Sequence, residues 1–245
     1  MKPFWRWTGL VALAMLLLQL FFVVRIAAMV VIDPQSSAFQ RSEAWRIVNL
    51  KGELPWRQQW VPYAQISDNL KRAVIASEDD GYADHDGVDW DAIEKAWAKN
   101  SRAEELAQRR AAAARDAKNP RAPKVIGGST ITQQLAKNLF LSSERTLLRK
   151  GQELVLTLLL ELLLDKQRIL EIYLNNVEWG SGVFGAQAAA EHYFRKPAAR
   201  LSAYEAARLA VMLPRPKYFE KLPHSAYLSS RASTIVARMP HAQLP

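Results

Sequence analysis

The apolar positions of this chain fall into one long run and several periodic stretches. From Thr8 to Val24 the residues are uncharged and almost all Leu, Val, Ala, Met or Phe, and after Arg25 the run resumes from Ile26 to Ile32. Such a run, at the short end for a bilayer core of ~30 Å, predicts a transmembrane anchor over residues 8–32, with Arg25 reaching to the interface. Trp5 and Trp7 stand where an aromatic belt would lie, and Lys2 and Arg6 predict that residues 1–7 stay cytoplasmic. A cleaved signal peptide is the competing reading, but the run is long for one and Ala27-Ala28 is a poor cleavage signature. Residues 33–245 are then an exported domain.

Beyond the anchor the periodicity is helical. Pro34, Pro55 and Pro62 break up residues 33–66. Ser67 is placed to cap a helix with Leu70, Ala73 and Val74 on its apolar side. Thr130 and Gln133 fit a capping box ahead of a stripe formed by Ile131, Leu135 and Leu139. Leu154 to Leu164 is apolar nearly all round, which predicts a buried helix too short to span a membrane. Lys166 to Leu174 reads as a helix ending at Asn175-Asn176, and an Ala-rich helix follows around Ala186 to Tyr193. There is no internal repeat and no series of alternating strands. The pattern predicts a mainly α fold, one helical domain behind one N-terminal transmembrane helix.

Composition narrows the partner. The 245 residues suit one domain, and 33 Lys plus Arg against 24 Asp plus Glu give a formal charge of +9, which favours an anionic partner. Export of the domain turns that preference toward a lipid surface or a phosphorylated substrate and away from nucleic acid. The lack of cysteine excludes disulfides and thiolate chemistry. Residues 99–124 are Ala-rich and carry Arg102, Arg109, Arg110, Arg115, Lys118, Arg121 and Lys124. They read either as a solvated helix and loop or as a mobile basic flap on anionic lipid.

Three segments carry candidate chemistry. The helix capped by Ser67 ends in Glu78-Asp79-Asp80, with Tyr82, His85, Gly87 and Asp89 just beyond. Acids at a helix C-terminus oppose the macrodipole and repel one another, which raises at least one carboxyl toward a useful general base. A hydrated acidic turn is the plainer reading. Next, Gly127-Gly128 open a helix with Thr130, Gln134 and Lys137 on one stripe, an arrangement suited to holding a phosphate group, or merely an ordinary capped helix. Last, Arg149-Lys150-Gly151-Gln152-Glu153 leads into the apolar helix, where Glu153, Thr157 and Glu161 recur every four residues. A buried carboxylate there must be paired, protonated or facing a wet cleft, and Arg149 is placed to pair with Glu153. A structural ion pair would satisfy the same spacing. Gly180 to Gly185 matches GxGxxG but follows a helix instead of a strand, so it reads as a tight turn. The four histidines show no paired metal spacing, and His85 alone has a site role.

Taken in order, four blocks resemble a known family. They are Glu78-Asp79 with His85-Asp86-Gly87-Val88-Asp89, Gly127-Gly128-Ser129-Thr130-Ile131-Thr132-Gln133-Gln134, Arg149-Lys150 with Glu153, and Tyr173-Leu174-Asn175 with Gly180-Ser181-Gly182 and Gly185. Across residues 45–240 the chain resembles the peptidoglycan glycosyltransferases of family 51. Because it ends soon after the last block, the monofunctional members are the expected counterpart, in a Gram-negative inner membrane with a periplasmic catalytic domain. The resemblance implies a lysozyme-like fold with a large lobe and a smaller membrane-facing lobe. It implies lipid II and the growing glycan strand as substrates, the acceptor sugar 4-hydroxyl displacing lipid pyrophosphate with inversion.

On the same basis Glu78 matches the general base and Asp79 its supporting neighbour, with Tyr82 and His85 beside them. Glu153 matches the second, donor-side carboxylate. Lys137 and Arg145 match residues that contact the pyrophosphate, with Arg149 and Lys150 nearby, and Thr130, Gln133, Gln134 and Asn138 match residues lining the cleft. Tyr82 stands where the family usually has Phe. No cofactor is required by the sequence; a divalent cation, Mg or Mn, accompanies the pyrophosphate in some members, but the chain shows no dedicated cage. The expected partners are the bilayer and cell-wall synthesis or division proteins, with no nucleic acid. Two rival readings are a lysozyme-like hydrolase or lytic transglycosylase, and a non-enzymatic cell-wall scaffold.

Overall fold

The first helix, α1, runs Lys2–Ala28, and its Phe4–Ala28 portion is long and apolar enough to cross a membrane. Trp5, Arg6 and Trp7, expected as a flanking tail, continue the same helix. Its far end is not a free stalk. Ile26 and Met29 are buried in the core of the domain, and the Arg25 guanidinium lies 5.3 Å from the centre of the Phe140 ring. In this computed structural model, residues 2–113, 128–142, 144 and 146–245 are described.

The core forms where helices with small inward residues approach closely. α3 (Asp68–Glu78) is capped by Ser67 as its sequence predicts, and Leu70, Ala73 and Val74 are fully buried. They pack on α9 (Ala203–Met212) and α11 (Ala226–Arg238), where Ala206, Ala207, Ala210 and Ala232 leave room for close contact. Beside them α5 (Ile131–Phe140) buries Ile131, Leu135 and Leu139 against α6 (Leu147–Leu163) and α7 (Lys166–Asn176). The Thr130–Gln133 capping box is formed in full.

Some elements differ from expectation. α2 (Ala38–Lys51) lies among the expected breakers; it has a Ser37–Gln40 capping box and ends at Gly52, but it buries only Gln40, Glu43 and Ile47, so no apolar stripe announced it. A small sheet pairs β1 (Arg57–Gln58) parallel to β3 (Val183–Phe184), and β3 antiparallel to β2 (Glu178–Gly180). Strands of this length are too short for alternation to register. Gly182 closes the β2–β3 turn with φ 78°, where an added Cβ would fall 2.0 Å from the Pro55 carbonyl oxygen. The glycine cluster thus serves a hairpin and leads into α8 (Ala186–Phe194).

α6 corrects one expectation. The stretch Leu154 to Leu164 is expected to be buried, yet Leu162 is 77% exposed, with Leu154, Val155 and Leu158 exposed beside it. The face carrying Glu153, Leu156, Thr157 and Leu160 is covered, with α5, α1 and α7 packing on the helix, and the side carrying Leu158 and Leu162 stays exposed among the described residues. α4 (Trp90–Ala113) takes up the start of the basic segment. The rest of that segment, and with it the expected mobile flap, lies outside the described residues.

Candidate active site

α3 ends in three consecutive acids, and each meets a different environment. Asp80 pairs with Arg238 of α11 at 3.1 Å. Asp79 turns inward: its Oδ2 accepts the backbone N–H of Ile131 at 2.9 Å, and its Oδ1 lies 2.8 Å from His85 Nε2. A carboxylate that opposes its own helix dipole is thereby placed at the positive end of α5. Burial disfavours a charged His85, but the hydrogen bond and charge of Asp79 outweigh it and raise the imidazole pKa.

Among the described residues no cation forms an ion pair with Glu78. Gln134 Nε2 donates to its Oε2 at 3.1 Å and Ser77 Oγ to its Oε1 at 3.3 Å. Gln134 is itself oriented by the buried Tyr173 hydroxyl, which donates to Oε1 of the amide at 3.0 Å. Burial raises the Glu78 pKa above the ordinary carboxyl value; the two hydrogen bonds offset part of this, the charge of Asp79 adds to it, and that of Lys137 lowers it. The side chain remains half-buried at the edge of a recess of ≈ 310 Å³, shared with Asp79, Lys95, Ser129 and Thr130. A carboxylate raised this way is a better proton acceptor than an ordinary one.

On the other flank of α5 lies a cavity of ≈ 500 Å³ lined by Gln133, Gln134, Lys137, Asn138, Arg149, Lys150 and Glu153. Ser129 lines both spaces, and Gln134 faces this cavity while holding Glu78, so recess and cavity adjoin at the start of α5. Glu153 is buried; Arg149 Nη1 bonds its Oε2 at 2.6 Å and Lys150 Nζ bonds its Oε1. One clamped carboxylate beside Lys137, Arg149 and Lys150 leaves a wall suited to a developing anion. Arg145, expected to join them, lies outside the described residues.

The line of polar residues along α6 divides. Thr157 Oγ1 donates back to the Glu153 carbonyl at 2.8 Å, a local bond within the helix. Glu161 is structural: Lys166 Nζ and Thr132 Oγ1 both hold its Oε1, at 2.9 and 2.6 Å. Gly87, at φ 83°, lets the loop after α3 lie on this face; a Cβ there would come 2.8 Å from Thr157 Cγ2 and Glu161 Cγ. Thr130 Oγ1 donates to the Gly87 carbonyl at 2.6 Å and caps α5, so it joins loop to helix. Tyr82 is fully buried, its hydroxyl donating to the Lys166 carbonyl at 2.7 Å, and supports the loop from behind.

One residue escaped the sequence reading. Glu178 of β2 is buried on the wall of the ≈ 500 Å³ cavity, with Lys217 Nζ 3.2 Å from its Oε1. Burial pushes its pKa up to about 7, against the pull of Lys217. The available signal was an acid between Val177 and Trp179, inside an apolar turn.

The transglycosylase family model matches residues 48–240. A biosynthetic peptidoglycan transglycosylase of Burkholderia thailandensis is 56% identical over 237 residues, spanning 97% of this chain and 86% of its own. Proteins of the same name from Burkholderia pseudomallei and Burkholderia ambifaria are 54% and 52% identical, covering 97% and 95% of this chain and 86% and 87% of theirs. The match spans α3 to α11, and the chain belongs to the transglycosylase family of glycosyltransferase enzymes.

Proposed function

We propose that this enzyme polymerises lipid II into β-1,4 glycan strands of peptidoglycan, inverting the anomeric centre and releasing undecaprenyl pyrophosphate. The observation that carries the reading is the pairing of two unlike spaces across α5: a recess with an unclamped, pKa-raised carboxylate, and a cavity with a cationic wall.

In this reading the acceptor sugar lies in the recess with its 4-hydroxyl toward Glu78. Glu78 takes the hydroxyl proton as the oxygen bonds to the donor anomeric carbon, and the bond to the lipid pyrophosphate breaks on the opposite face. The leaving group departs as an anion, so it needs positive charge more than a proton. Lys137, Arg149 and Lys150 supply that charge, and Arg145 is assigned beside them on the family pattern. Glu153 holds Arg149 and Lys150 in place. Asp79 and His85 fix the end of α3 against α5, and Gln133, Gln134 and Asn138 line the path between the sugars.

A protein-held divalent cation does not fit these residues: Glu153 is already bonded by two cations, and no cluster of three or more His, Asp or Glu able to hold a metal occurs among the described residues. A Mg or Mn ion would arrive with the substrate pyrophosphate. The domain is assigned to the periplasmic side of the inner membrane, α1 crossing the bilayer with its N-terminus cytoplasmic, in company with cell-wall synthesis or division proteins.

The test is incubation of the detergent-solubilised full chain with labelled lipid II, with size separation and muramidase digestion of the products. Polymer from the wild type and none from Glu78→Gln is the expected result. Cleavage of preformed glycan without polymerisation would move the assignment to a lytic enzyme. Neither activity would favour a scaffold.

A further inference from the structure

Next to the donor-side cavity is a second space of ≈ 510 Å³, and its wall is cationic. Arg46 and Lys51 come from α2, Arg57 from β1, and Lys217 and Lys221 from α10 (Pro216–Glu220) and its C-terminal cap. Among the described lining residues the acid is Glu220, which accepts the Ser181 backbone N–H at 3.0 Å and faces His192 Nε2 at 3.5 Å. Arg46 is paired with Glu43 at 2.8 Å, and Lys217 with Glu43 and Glu178. Lys51, Arg57 and Lys221 are exposed and form no ion pair among the described residues. Unpaired cations around a concave wall concentrate positive potential and attract anions.

Position indicates which anion. Glu178 and Pro216 line the donor-side cavity, while Ser181 and Lys217 line the second space, so hairpin β2–β3 and the start of α10 form a shared wall. A strand passing out of the cavity over that wall carries its substituents into the basic pocket. No residue of α1 or of the exposed face of α6 lines the pocket, which sets it apart from the apolar surfaces. The sugars of a growing strand beyond its lipid-linked end carry no phosphate; their anions are the carboxylates of the peptide stems. A guanidinium such as Arg57 matches a carboxylate bidentately, with lysines adding point charge.

We propose that this pocket is a second anion-binding subsite, taking the peptide-stem carboxylates of the strand that leaves the donor-side cavity. The assignment rests on the polymerase reading above. It retains the nascent strand by its peptides while the pyrophosphate end reacts.

The experiment uses the full chain in detergent and measures binding of a soluble peptidoglycan tetrasaccharide with free stem carboxylates. The same tetrasaccharide with amidated carboxylates is the comparison. The wild type is expected to bind the free form about tenfold tighter, the worth of a few exposed charge contacts, and the margin should shrink with salt. The triple variant Lys51→Ala/Arg57→Ala/Lys221→Ala should lose that margin. Equal affinity for the two forms, or an unaltered margin in the variant, overturns the subsite. If the variant does not fold, the comparison on the wild type decides alone. Phosphatidylglycerol vesicles form a further arm: loss of vesicle binding in the variant with an intact tetrasaccharide margin would assign the pocket to lipid headgroups and overturn the proposal. Lipid II polymerisation by the wild type is run in parallel. A wild type that polymerises but ignores the carboxylates defeats the subsite alone; one that does not polymerise defeats the polymerase reading.

Discussion

Glu78 and Glu153 are both acids facing the same cleft, from α3 and α6, and their surroundings make them opposites. Glu78 is held by neutral donors, Gln134 and Ser77, and burial raises its pKa. Glu153 is more deeply buried but lies between Arg149 and Lys150. Burial alone therefore does not make a proton acceptor; the charge of the neighbours decides whether a carboxylate is available or committed. In the proposed mechanism the available one works as the base, and the committed one organises cations.

The sharpest way to break that contrast is Glu78→Gln, which keeps the shape and removes the base. We expect a loss of about 10²–10⁴-fold in kcat, measured as lipid II polymerisation, with little change in Tm. A variant as active as the wild type would remove Glu78 from the mechanism. On the other side, Arg149→Ala takes away a charge-assisted bond and half the clamp. A fall of about 10–100-fold in kcat/KM is expected, corresponding to roughly 1.5–3 kcal/mol, with KM for lipid II rising if the cation also binds substrate.

Asp79→Asn tests the link between the two sides. It should cost about 1–3 kcal/mol in denaturant unfolding, since the Ile131 N–H and His85 lose a charged acceptor. The His85 pKa should fall in the same variant, which NMR titration reads directly.

Glu178 offers a third environment, buried beside a single lysine. Its folded-state pKa, raised from 4.5 to about 7, means that the fold favours its neutral form. That contribution to stability is fully present below the unfolded value and is lost as pH rises through about 7. Glu178→Gln, always neutral, should gain stability relative to the wild type between pH 5 and 8, by roughly 1 kcal/mol once the lost attraction to Lys217 is counted. A difference that stays flat with pH would show that Glu178 is already ionised in the fold. The smallest effect expected is in the pH–rate profile. Gln134→Ala removes a bond that lowers the Glu78 pKa, so the acidic limb should move to higher pH.

Much of this arrangement was legible in the chain. The caps at Ser67 and Thr130 and the pairing of Arg149 with Glu153 all depend on residues two to four apart, where helix geometry fixes neighbours. What was not legible depends on distant segments. Glu161 had the same four-residue spacing as Glu153, and only its contacts with Lys166 and Thr132 make it structural. Asp79 reads as one acid of three until α5 supplies its partner. Glu178 sits on a strand too short to register. The outer face of α6 looked like core because hydrophobicity does not say what will cover it.

The junction between α1 and α6 has a mechanical consequence. Gln19 of α1 and Gln152 of α6 exchange amide hydrogen bonds, at 3.1 and 3.4 Å, one residue before Glu153. Arg168 of α7 reaches back to the Met29 carbonyl at 2.8 Å and to Asp33 at 2.7 Å. With α1 standing in a bilayer as proposed, the domain is mounted on its anchor and does not swing on a tether. The placement of the cleft relative to α1 is then a fixed dimension of the protein. A thicker or thinner bilayer that tilts α1 would then tilt the whole domain with it, so the orientation of the cleft follows the anchor.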